Sequence, residues 1–296
     1  MLTVPPLVTR LWVTEAITDD ETTRAMARHR TPESRHRDVS RIVPPGTRTV
    51  LLDSEALLGG PVADIVLAPV LLRMGMDDAA QVIRIYSPEP TAAFSRRDSR
   101  RPGFPDAVAA AKAAGFTPVL RGPGGRLAAY HRGSVVIDHI VRMSQDRLRL
   151  DERFEFYATM HAQVLAGFGL DVRVGELAGE YCPGRHSINA AGIAKIVGSA
   201  QRVTREGWLF SSVIQVTGSA MLRDVLIPAH RALGYELNVS TIGAVEDFAP
   251  GITTAAVAKA VRDSYTPEAG VVQATLPAPV FEAVREASAR LRADLP

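Results

Sequence analysis

Short apolar or alternating segments along the chain predict strands. TVLLD, QVIRIYS, TPVL and DVRVGEL each have a strand's length and composition, and QVIRIYS alternates apolar and polar positions. LAAYH and SVVIDHIV predict two strands paired with each other. IAKIVGSAQRV and WLFSSVIQV flank the turn TREG and predict a β-hairpin.

Longer segments between these strands predict helices. The segment from Pro105 to Gly115 has proline at its start and glycine at its end, as helices prefer. Strands with helices at intervals and hairpins among them indicate an α+β domain with mixed sheets, not a regular βαβ array. The predicted helices cover residues 62–76, 105–115, Asp151 to Gly167 or Gly169, 218–233 and 252–264.

Residues 1–45 differ in composition from the rest. Their end is rich in Arg, Ser and Pro and poor in large apolar side chains, which predicts a flexible or loosely docked N-terminal extension. An RNA-contacting arm is the weaker interpretation, because aromatic side chains for base stacking are absent there. Residues 46–296 then form the folded domain.

Composition and charge exclude several function classes. The 296 residues are 46% hydrophobic and 22% charged, with a net charge of +2, so no strong field attracts nucleic acid or an anionic membrane. No signal-like start or membrane-length apolar stretch is found, since Asp64 and two glycines interrupt the most apolar segment. The single cysteine, Cys182, cannot form an internal disulfide. We therefore expect a soluble cytoplasmic protein.

Cys182 lies in the segment Tyr181-Cys182-Pro183-Gly184. The following proline biases Cys182 toward an extended conformation, and Pro-Gly predicts a turn. A turn in a polar loop can present a nucleophile, whereas most free cysteines are small buried hydrophobic residues. The local sequence leaves both interpretations open.

Lys195 is one of only three lysines among the 34 basic residues. Lys112 and Lys259 belong to alanine-rich helices, where solvated faces explain them, but Lys195 stands among apolar and small residues in AGIAKIVGSA. A lysine beside a thiol favours the thiolate and stabilises a developing oxyanion. The alternative is a lysine at a strand edge whose ammonium reaches solvent.

Two groups of small residues are candidate substrate contacts. Gly198, Ser199 and Ala200 would let backbone N–H groups approach a bound carbonyl. Arg121 begins the segment RGPGGR, in which Gly124 and Gly125 would let a ligand lie against the backbone. This segment lacks the pattern of a P-loop or a dinucleotide fingerprint, and a plain turn between strands also explains it.

The histidines do not have metal-ligand spacing, so we expect no metal site. His161 is predicted on the polar side of a helix with a structural role. His186 follows Cys182 in the same loop and is a minor candidate for proton transfer.

The segments RGPGGRLAAYH and EYCPGRHSINAAGIAKIVGSAQR, followed by a hydrophobic hairpin strand, resemble the biotin/lipoyl protein ligase family, which includes lipoate–protein ligases A and B. The resemblance covers residues 48–265. Within the family, the Tyr-Cys-Pro-Gly loop before the lysine is similar to octanoyltransferases that move octanoyl from the glycine-cleavage H protein to other proteins. In these enzymes the loop cysteine carries the acyl group.

The resemblance implies a biotin/lipoate ligase-like catalytic domain over residues 46–296. It implies an acyltransferase that moves an octanoyl or lipoyl group onto lysines of lipoyl domains through a Cys182 thioester, with Lys195 as the second catalytic residue. The implied substrate contacts are Arg121, Gly124, Gly125, Gly198, Ser199 and Ala200. An acyl-carrying donor protein and lipoyl-domain acceptor proteins are the implied partners, no cofactor is required, and we expect a monomer.

Three alternatives remain. The chain could be an ATP-dependent lipoate or biotin ligase, in which Lys195 binds an acyl-adenylate, or a non-catalytic lipoyl-binding member of the family. It could also be a cysteine hydrolase that uses His186. Arg126 follows only two consecutive glycines, and about thirty residues remain after the last family-like helix, too few for an accessory domain. Both features favour the transferase over the ligase.

Overall fold

The computed structural model describes residues 11–14, 49–53, 59–76, 79, 81–142, 150–265 and 276–293. The strands in these ranges are β1 (Leu11–Thr14), β2 (Thr49–Asp53), β3 (Gln81–Tyr86), β4 (Thr91–Phe94), β5 (Thr117–Leu120), β6 (Ala128–Tyr130), β7 (Ser134–Val141), β8 (Val172–Val174), β9 (Ile188–Ala190), β10 (Ala194–Val203) and β11 (Trp208–Gln215). The helices are α1 (Gly60–Met74), α2 (Phe104–Ala113), α3 (Leu150–Ala166), α4 (Ser219–Ala232), α5 (Thr254–Tyr265) and α6 (Ala278–Ala293).

The strands form two mixed sheets. The larger is eight-stranded, in the order β1-β2-β3-β7-β11-β10-β9-β8, and the smaller is three-stranded, in the order β5-β4-β6. Only the β2–β3 and β4–β5 neighbours run parallel in these described strands; the other pairs are antiparallel. Mixed sheets with flanking helices confirm the predicted α+β class.

One predicted strand pairing is wrong. The β10–β11 hairpin is confirmed, with Val203 opposite Trp208 beside the turn. However, β6 and β7, the predicted pair, belong to different sheets, since β6 pairs with β4 while β7 lies between β3 and β11. All eight residues of β7 are buried, so this strand is a central one with neighbours on both sides. Local alternation identifies a strand but does not choose its partner.

The predicted helices are confirmed with small shifts at their ends, but α6 was not predicted from the sequence. This helix buries Val280 and Val284 in an apolar cluster that includes Leu67 and Leu71 of α1. Most other positions of α6 are exposed or half-buried, so its hydrophobic stripe is narrow. The prediction that the last helix ends near residue 264 is therefore wrong.

The two faces of the large sheet have different surroundings. Ile85, Ile137 and Phe210 on one face belong to a core cluster with side chains of α3 and α5. The opposite face lies under α1, where the residues Tyr86, Val136, Val213 and Gly198 stand in one row across four strands. The candidate site described below occupies this second face.

The N-terminal extension is only partly described. Its residues Leu11–Thr14 pair with β2 and extend the edge of the large sheet. The other residues of the range 1–45 lie outside the described part of the chain, so the division at residue 46 stays a prediction. No helix in the described ranges combines the length and apolar character that a membrane span requires.

His161 is not on the polar side of its helix. It is fully buried in α3, with its ring near those of Tyr157 and Tyr265. Neither ring nitrogen has a hydrogen-bond partner among the described residues. Burial lowers the pKa of His161 from 6.5 to about 4, so the ring is neutral in the folded protein near neutral pH. Its role is structural, as expected, but its place is the core.

We predict that His161→Phe reduces the acid sensitivity of the fold. Because the pKa is lower in the folded state, the unfolded chain binds more protons between pH 6.5 and 4, and stability falls as pH falls through this range. The loss of unfolding free energy between pH 8 and pH 5 should shrink by about 2 kcal/mol in the variant. Urea unfolding at both pH values measures it, and an equal loss in both proteins would contradict the assignment.

Candidate active site

A cavity of about 710 Å³ lies on the α1 side of the large sheet. Its walls come from α1, the RGPGGR segment, the loop that carries Cys182, and strands β7, β10 and β11. The structure brings together at this cavity every site residue predicted from the sequence. These are Arg121, Gly124, Gly125, Cys182, Lys195, Gly198, Ser199 and Ala200.

Cys182 presents its thiol at the cavity wall from a strained backbone. The Arg126 backbone N–H donates to Sγ at 3.3 Å, and the Arg121 guanidinium Nη2 lies 3.7 Å from the same sulfur. The φ angle of Cys182 is 44°, in the left-handed region. For a residue other than glycine this conformation costs on the order of 1–3 kcal/mol, and such strain concentrates at functional sites.

The extended conformation predicted for Cys182 is therefore wrong. Pro183 disfavours the right-handed helical region for the preceding residue, and the left-handed region satisfies that restriction as well. Contacts distant in sequence then select the conformation, since Lys195 holds the Cys182 carbonyl while Arg126 holds its sulfur.

Lys195 is buried beneath the cysteine loop, with only 2% of its surface exposed. Its Nζ donates to the backbone carbonyl of Cys182 at 2.7 Å, to that of Tyr181 at 3.1 Å and to Glu180 Oε1 at 2.9 Å. The ammonium has three hydrogens, and these contacts engage all of them. The expected contact between ammonium and thiol is replaced by a contact with the carbonyl of the same cysteine, and Arg121 is the cation beside the sulfur.

Glu180 completes this arrangement and was missed in the sequence analysis. Its carboxylate is buried, and it accepts hydrogen bonds from Lys195, from Ser187 Oγ at 2.5 Å and from the Leu177 backbone N–H at 3.0 Å. A buried charge is tolerated when it is paired and hydrogen-bonded in this way. The sequence signal that could have identified Glu180 is its place in EYCPG, directly before Tyr181.

The backbone angle and the close neighbours of residue 125 require glycine at this position. Its φ angle is 107°, and an added Cβ would lie 2.8 Å from Cys182 Sγ and 2.8 Å from Arg121 Nη2. By contrast, a Cβ added at Gly124 would meet no atom within 4 Å. The close approach of backbone to thiol that the glycines permit is therefore a property of Gly125.

The small residues of β10 line the cavity from inside the large sheet. Gly198 pairs with Val213 and Ser199 with Ser212, and a Cβ added at Gly198 would lie 3.2 Å from Lys195 Cε. In an antiparallel pair, consecutive residues direct their N–H groups alternately toward and away from the partner strand. Of the backbone N–H groups of Gly198 and Ser199, only one can therefore face away from β11 toward a ligand.

His186 lines the cavity but is not bonded to the thiol in the described structure. Its ring stacks on Phe154 with centroids 5.6 Å apart, and Arg185 Nε lies 3.1 Å from its Nε2. Partial burial, followed by the charge of Arg185, lowers the pKa of His186. Within the described ranges, no three His, Cys, Asp or Glu residues stand close enough to hold a metal ion.

The far side of the cavity contains a polar cluster that the sequence analysis missed. Arg84, Asp138 and Ser211 stand opposite one another on β3, β7 and β11, and Asp64 of α1 forms an ion pair with Arg84. Ser211 Oγ donates to Asp138 at 2.6 Å, and burial raises the pKa of Asp138. The sequence signal that could have identified this cluster is the presence of single polar residues inside apolar strands.

A second cavity, of about 520 Å³, adjoins the first and shares Ile65, Pro69 and Arg121 with it. Five arginines line it, and no carboxylate does so among the residues described. They are Arg73, Arg96, Arg121, Arg202 and Arg290. The surface next to the thiol is therefore strongly positive.

Residues 70–266 match the Lipoyl protein ligase A/B catalytic domain, and the chain belongs to that family. Curated relatives include an "Octanoyl-[GcvH]:protein N-octanoyltransferase" of Geobacillus kaustophilus (strain HTA426), 29% identical over 160 residues, 54% of this chain and 56% of the relative. One of Exiguobacterium sibiricum with the same name is 28% identical over 145 residues, 49% of this chain and 52% of the relative.

Solved structures show the same fold. Lipoate-protein ligase A bound with ATP has a TM-score of 0.63 at 18% identity and aligns over 82% of this chain and 94% of its own. A bipartite lipoate protein ligase of Thermoplasma acidophilum has a TM-score of 0.59 at 18% identity, over 80% of this chain and 91% of its own. The chain spans about half the length of the curated relatives it matches.

We predict that Gly125→Ala alters the reactivity of the Cys182 thiol, whereas Gly124→Ala leaves it unchanged. The first places a methyl group 2.8 Å from Cys182 Sγ and strains the backbone, so the sulfur must leave the Arg126 N–H. The second places it in open space. Cys182 is the only cysteine, so mass spectrometry gives its rate of alkylation by iodoacetamide directly. We expect the rate to fall by about tenfold or more in Gly125→Ala, because the sulfur loses a hydrogen bond and its place beside Arg121. Similar rates in both variants would contradict the assigned packing.

Proposed function

We propose that this protein transfers an octanoyl or lipoyl group onto lysines of lipoyl-domain proteins through a thioester on Cys182. The observation that carries the proposal is the Cys182 thiol, held by Arg121 and the Arg126 N–H at the wall of a cavity of about 710 Å³. Membership of the lipoyl protein ligase A/B family and the names of the relatives support an octanoyl group and protein substrates.

In the first half-reaction, the Cys182 thiolate attacks the carbonyl carbon of the acyl donor. A carbon–sulfur bond forms, the bond from the carbonyl carbon to the donor breaks, and the departing group of the donor takes up a proton. The Arg121 guanidinium beside Sγ stabilises the negative charge on the sulfur before attack. The Arg126 N–H aims the sulfur into the cavity.

In the second half-reaction, the ε-amine of an acceptor lysine attacks the thioester. A carbon–nitrogen bond forms, the carbon–sulfur bond breaks, the nitrogen loses a proton and Cys182 returns as thiolate. The amide product is more stable than the thioester, so this step proceeds without a nucleotide. The reaction therefore needs no ATP, which separates it from a lipoate ligase of the same fold.

We propose that Lys195 acts on both the loop and the reacting carbonyl. Its contacts with the carbonyls of Tyr181 and Cys182 hold the nucleophile in its left-handed conformation. We further propose that its charge favours the oxyanion of the reacting carbonyl through space, since its three hydrogens are engaged by the loop. Gly198 and Ser199 offer one further N–H to that oxygen, while Ala200 and the Gly124–Gly125 backbone bound the acyl chain.

Both substrates in this proposal are carried by proteins, which must dock at the mouth of the cavity. The adjoining five-arginine cavity offers them a positive surface. Arg73, Arg96 and Arg202 form no ion pair within the described ranges, so their guanidinium groups are available to carboxylates of a partner. This charge fits an acidic surface around the modified lysine.

The thioester is tested by incubation with octanoyl N-acetylcysteamine without ATP. We expect one octanoyl mass on the Cys182 peptide of wild type and none in Cys182→Ser. Arg121→Gln should slow acylation by about tenfold to a hundredfold, because the thiolate loses its nearest cation. Unlabelled wild type, or a label that persists in Cys182→Ser, would overturn the thioester mechanism.

The docking surface is tested by Arg96→Glu with Arg202→Glu. We expect KM for an octanoyl-acceptor lipoyl domain to rise by about tenfold or more, while Cys182 acylation by the small thioester keeps its rate. Arg205→Glu is the matched control, because Arg205 is 86% exposed and pairs with Glu206 outside both cavities. Equal KM values in all three proteins would contradict docking at this cavity.

A further inference from the structure

The backbone of Arg126 contacts both the thiol and the cation beside it. Its N–H donates to Cys182 Sγ at 3.3 Å, and its carbonyl accepts a hydrogen bond from Arg121 Nη2 at 2.9 Å. The same Nη2 lies 3.7 Å from the sulfur. The thiol, the guanidinium and the backbone of residue 126 therefore contact one another in a closed set, and a displacement of Arg126 would disturb the thiol and its cation together.

The segment before Arg126 has few side chains with which to hold its own position. Three of the four residues 122–125 are glycine, which has more backbone freedom than any other residue. A Cβ added at Gly124 would meet no atom within 4 Å, so this position is also open. Leu127, on the other side of Arg126, is fully buried. Arg126 thus lies between a buried residue and a glycine segment, where a contact of its own side chain can fix its backbone.

The side chain of Arg126 reaches the ring of Tyr235. Its guanidinium carbon lies 4.6 Å from the ring centroid, within the range of a cation–π interaction. Arg126 forms no ion pair within the described ranges, so this ring is the contact that restrains its charged end. Neither residue is among those that line the two cavities. The pair therefore acts on the thiol without touching a ligand in either cavity.

Tyr235 follows the end of α4 and is itself held in place. Its hydroxyl donates to Asp98 Oδ1 at 2.9 Å, and Asp98 is fully buried and accepts the Ser95 backbone N–H at 2.8 Å. Arg101 stands over the same ring at 4.3 Å and donates to the carbonyl of Gly234 at 3.3 Å. The ring is thus restrained at its hydroxyl, at its face and in the chain just before it, so it can anchor Arg126.

We propose, on the basis of the acyl transfer proposed above, that Tyr235 is a positioning residue for Cys182 and acts through Arg126. The ring holds the Arg126 side chain, and the Arg126 backbone holds the sulfur and the Arg121 guanidinium. A cation–π contact of this kind favours the held arrangement about twofold to fivefold. Without it, the sulfur loses its hydrogen bond and its nearby cation more often, and the thiol reacts more slowly.

The test is a double-mutant cycle of Tyr235→Leu and Arg126→Met, measured as the rate of Cys182 alkylation by iodoacetamide. Arg126→Met removes the guanidinium and keeps the backbone N–H and carbonyl. We expect each substitution to slow alkylation by about twofold to fivefold, and the double variant to be no slower than the slower single variant. Tyr235 and Cys182 also pack against one apolar cluster. Effects that multiply in the double variant would therefore overturn the route through Arg126.

Tyr235→Phe and Arg205→Met are the matched controls. The first keeps the ring and loses the hydrogen bond to Asp98, and the second removes a guanidinium that pairs with Glu206 outside both cavities. Both should be alkylated at the wild-type rate, and urea unfolding checks that every variant is folded. A wild-type rate in Arg126→Met, or a loss in Tyr235→Phe as large as that in Tyr235→Leu, overturns the proposal.

Acylation by octanoyl N-acetylcysteamine separates positioning from the transfer reaction. Because Tyr235 does not line the cavity, Tyr235→Leu should lower the maximal rate of Cys182 acylation by the same factor as alkylation. The thioester concentration that gives half of that rate should equal the wild-type value, and a change in this concentration alone would contradict positioning. A wild-type protein and variants that follow the expected alkylation pattern but never take up octanoyl would refute the transfer reaction alone.

Discussion

The site depends on one buried cation. Lys195 has three partners, all from the three consecutive residues Glu180, Tyr181 and Cys182, and thereby joins strand β10 to the cysteine loop. A buried ammonium without its partners would be very unfavourable, so the loop is held wherever the strand places the lysine. The left-handed backbone of Cys182 is sustained by these contacts. The conformation of Cys182 therefore follows from the burial of a charge whose hydrogen bonds go to oxygen atoms of the loop and not to the sulfur.

In the same geometry, two different cations contact the sulfur and the backbone of Cys182. The positive charge beside the sulfur comes from Arg121, while Lys195 holds the backbone carbonyl of Cys182. Gly125 makes this division possible, because its missing side chain leaves space for both the sulfur and the guanidinium. Three segments that are distant in sequence, around residues 121–126, 180–187 and 195–200, therefore act as one unit at the cavity.

The cavity itself follows from the sheet. Residues two apart along a strand face the same side, so two neighbouring rows lie beneath α1. One row contains Gly198, Val213, Val136 and Tyr86, and the other contains Ala200, Ser211, Asp138 and Arg84. The first row is mostly apolar and the second mostly polar, and residues of both line the cavity.

The sequence by itself determined the α+β class, most elements, the family and the eight residues that meet at the cavity, because the Cys-Pro-Gly turn, the isolated lysine and the glycine segment are local signals. Only the tertiary structure decided which elements and residues contact one another. It places β6 and β7 in different sheets and packs α6 on α1. It also buries His161 in the core and gives Cys182 a positive φ angle. Glu180 and the Arg84–Asp138 row also emerged only there. Local patterns fix which residues form an element, whereas the burial of charges and strand edges depends on segments far apart in the chain.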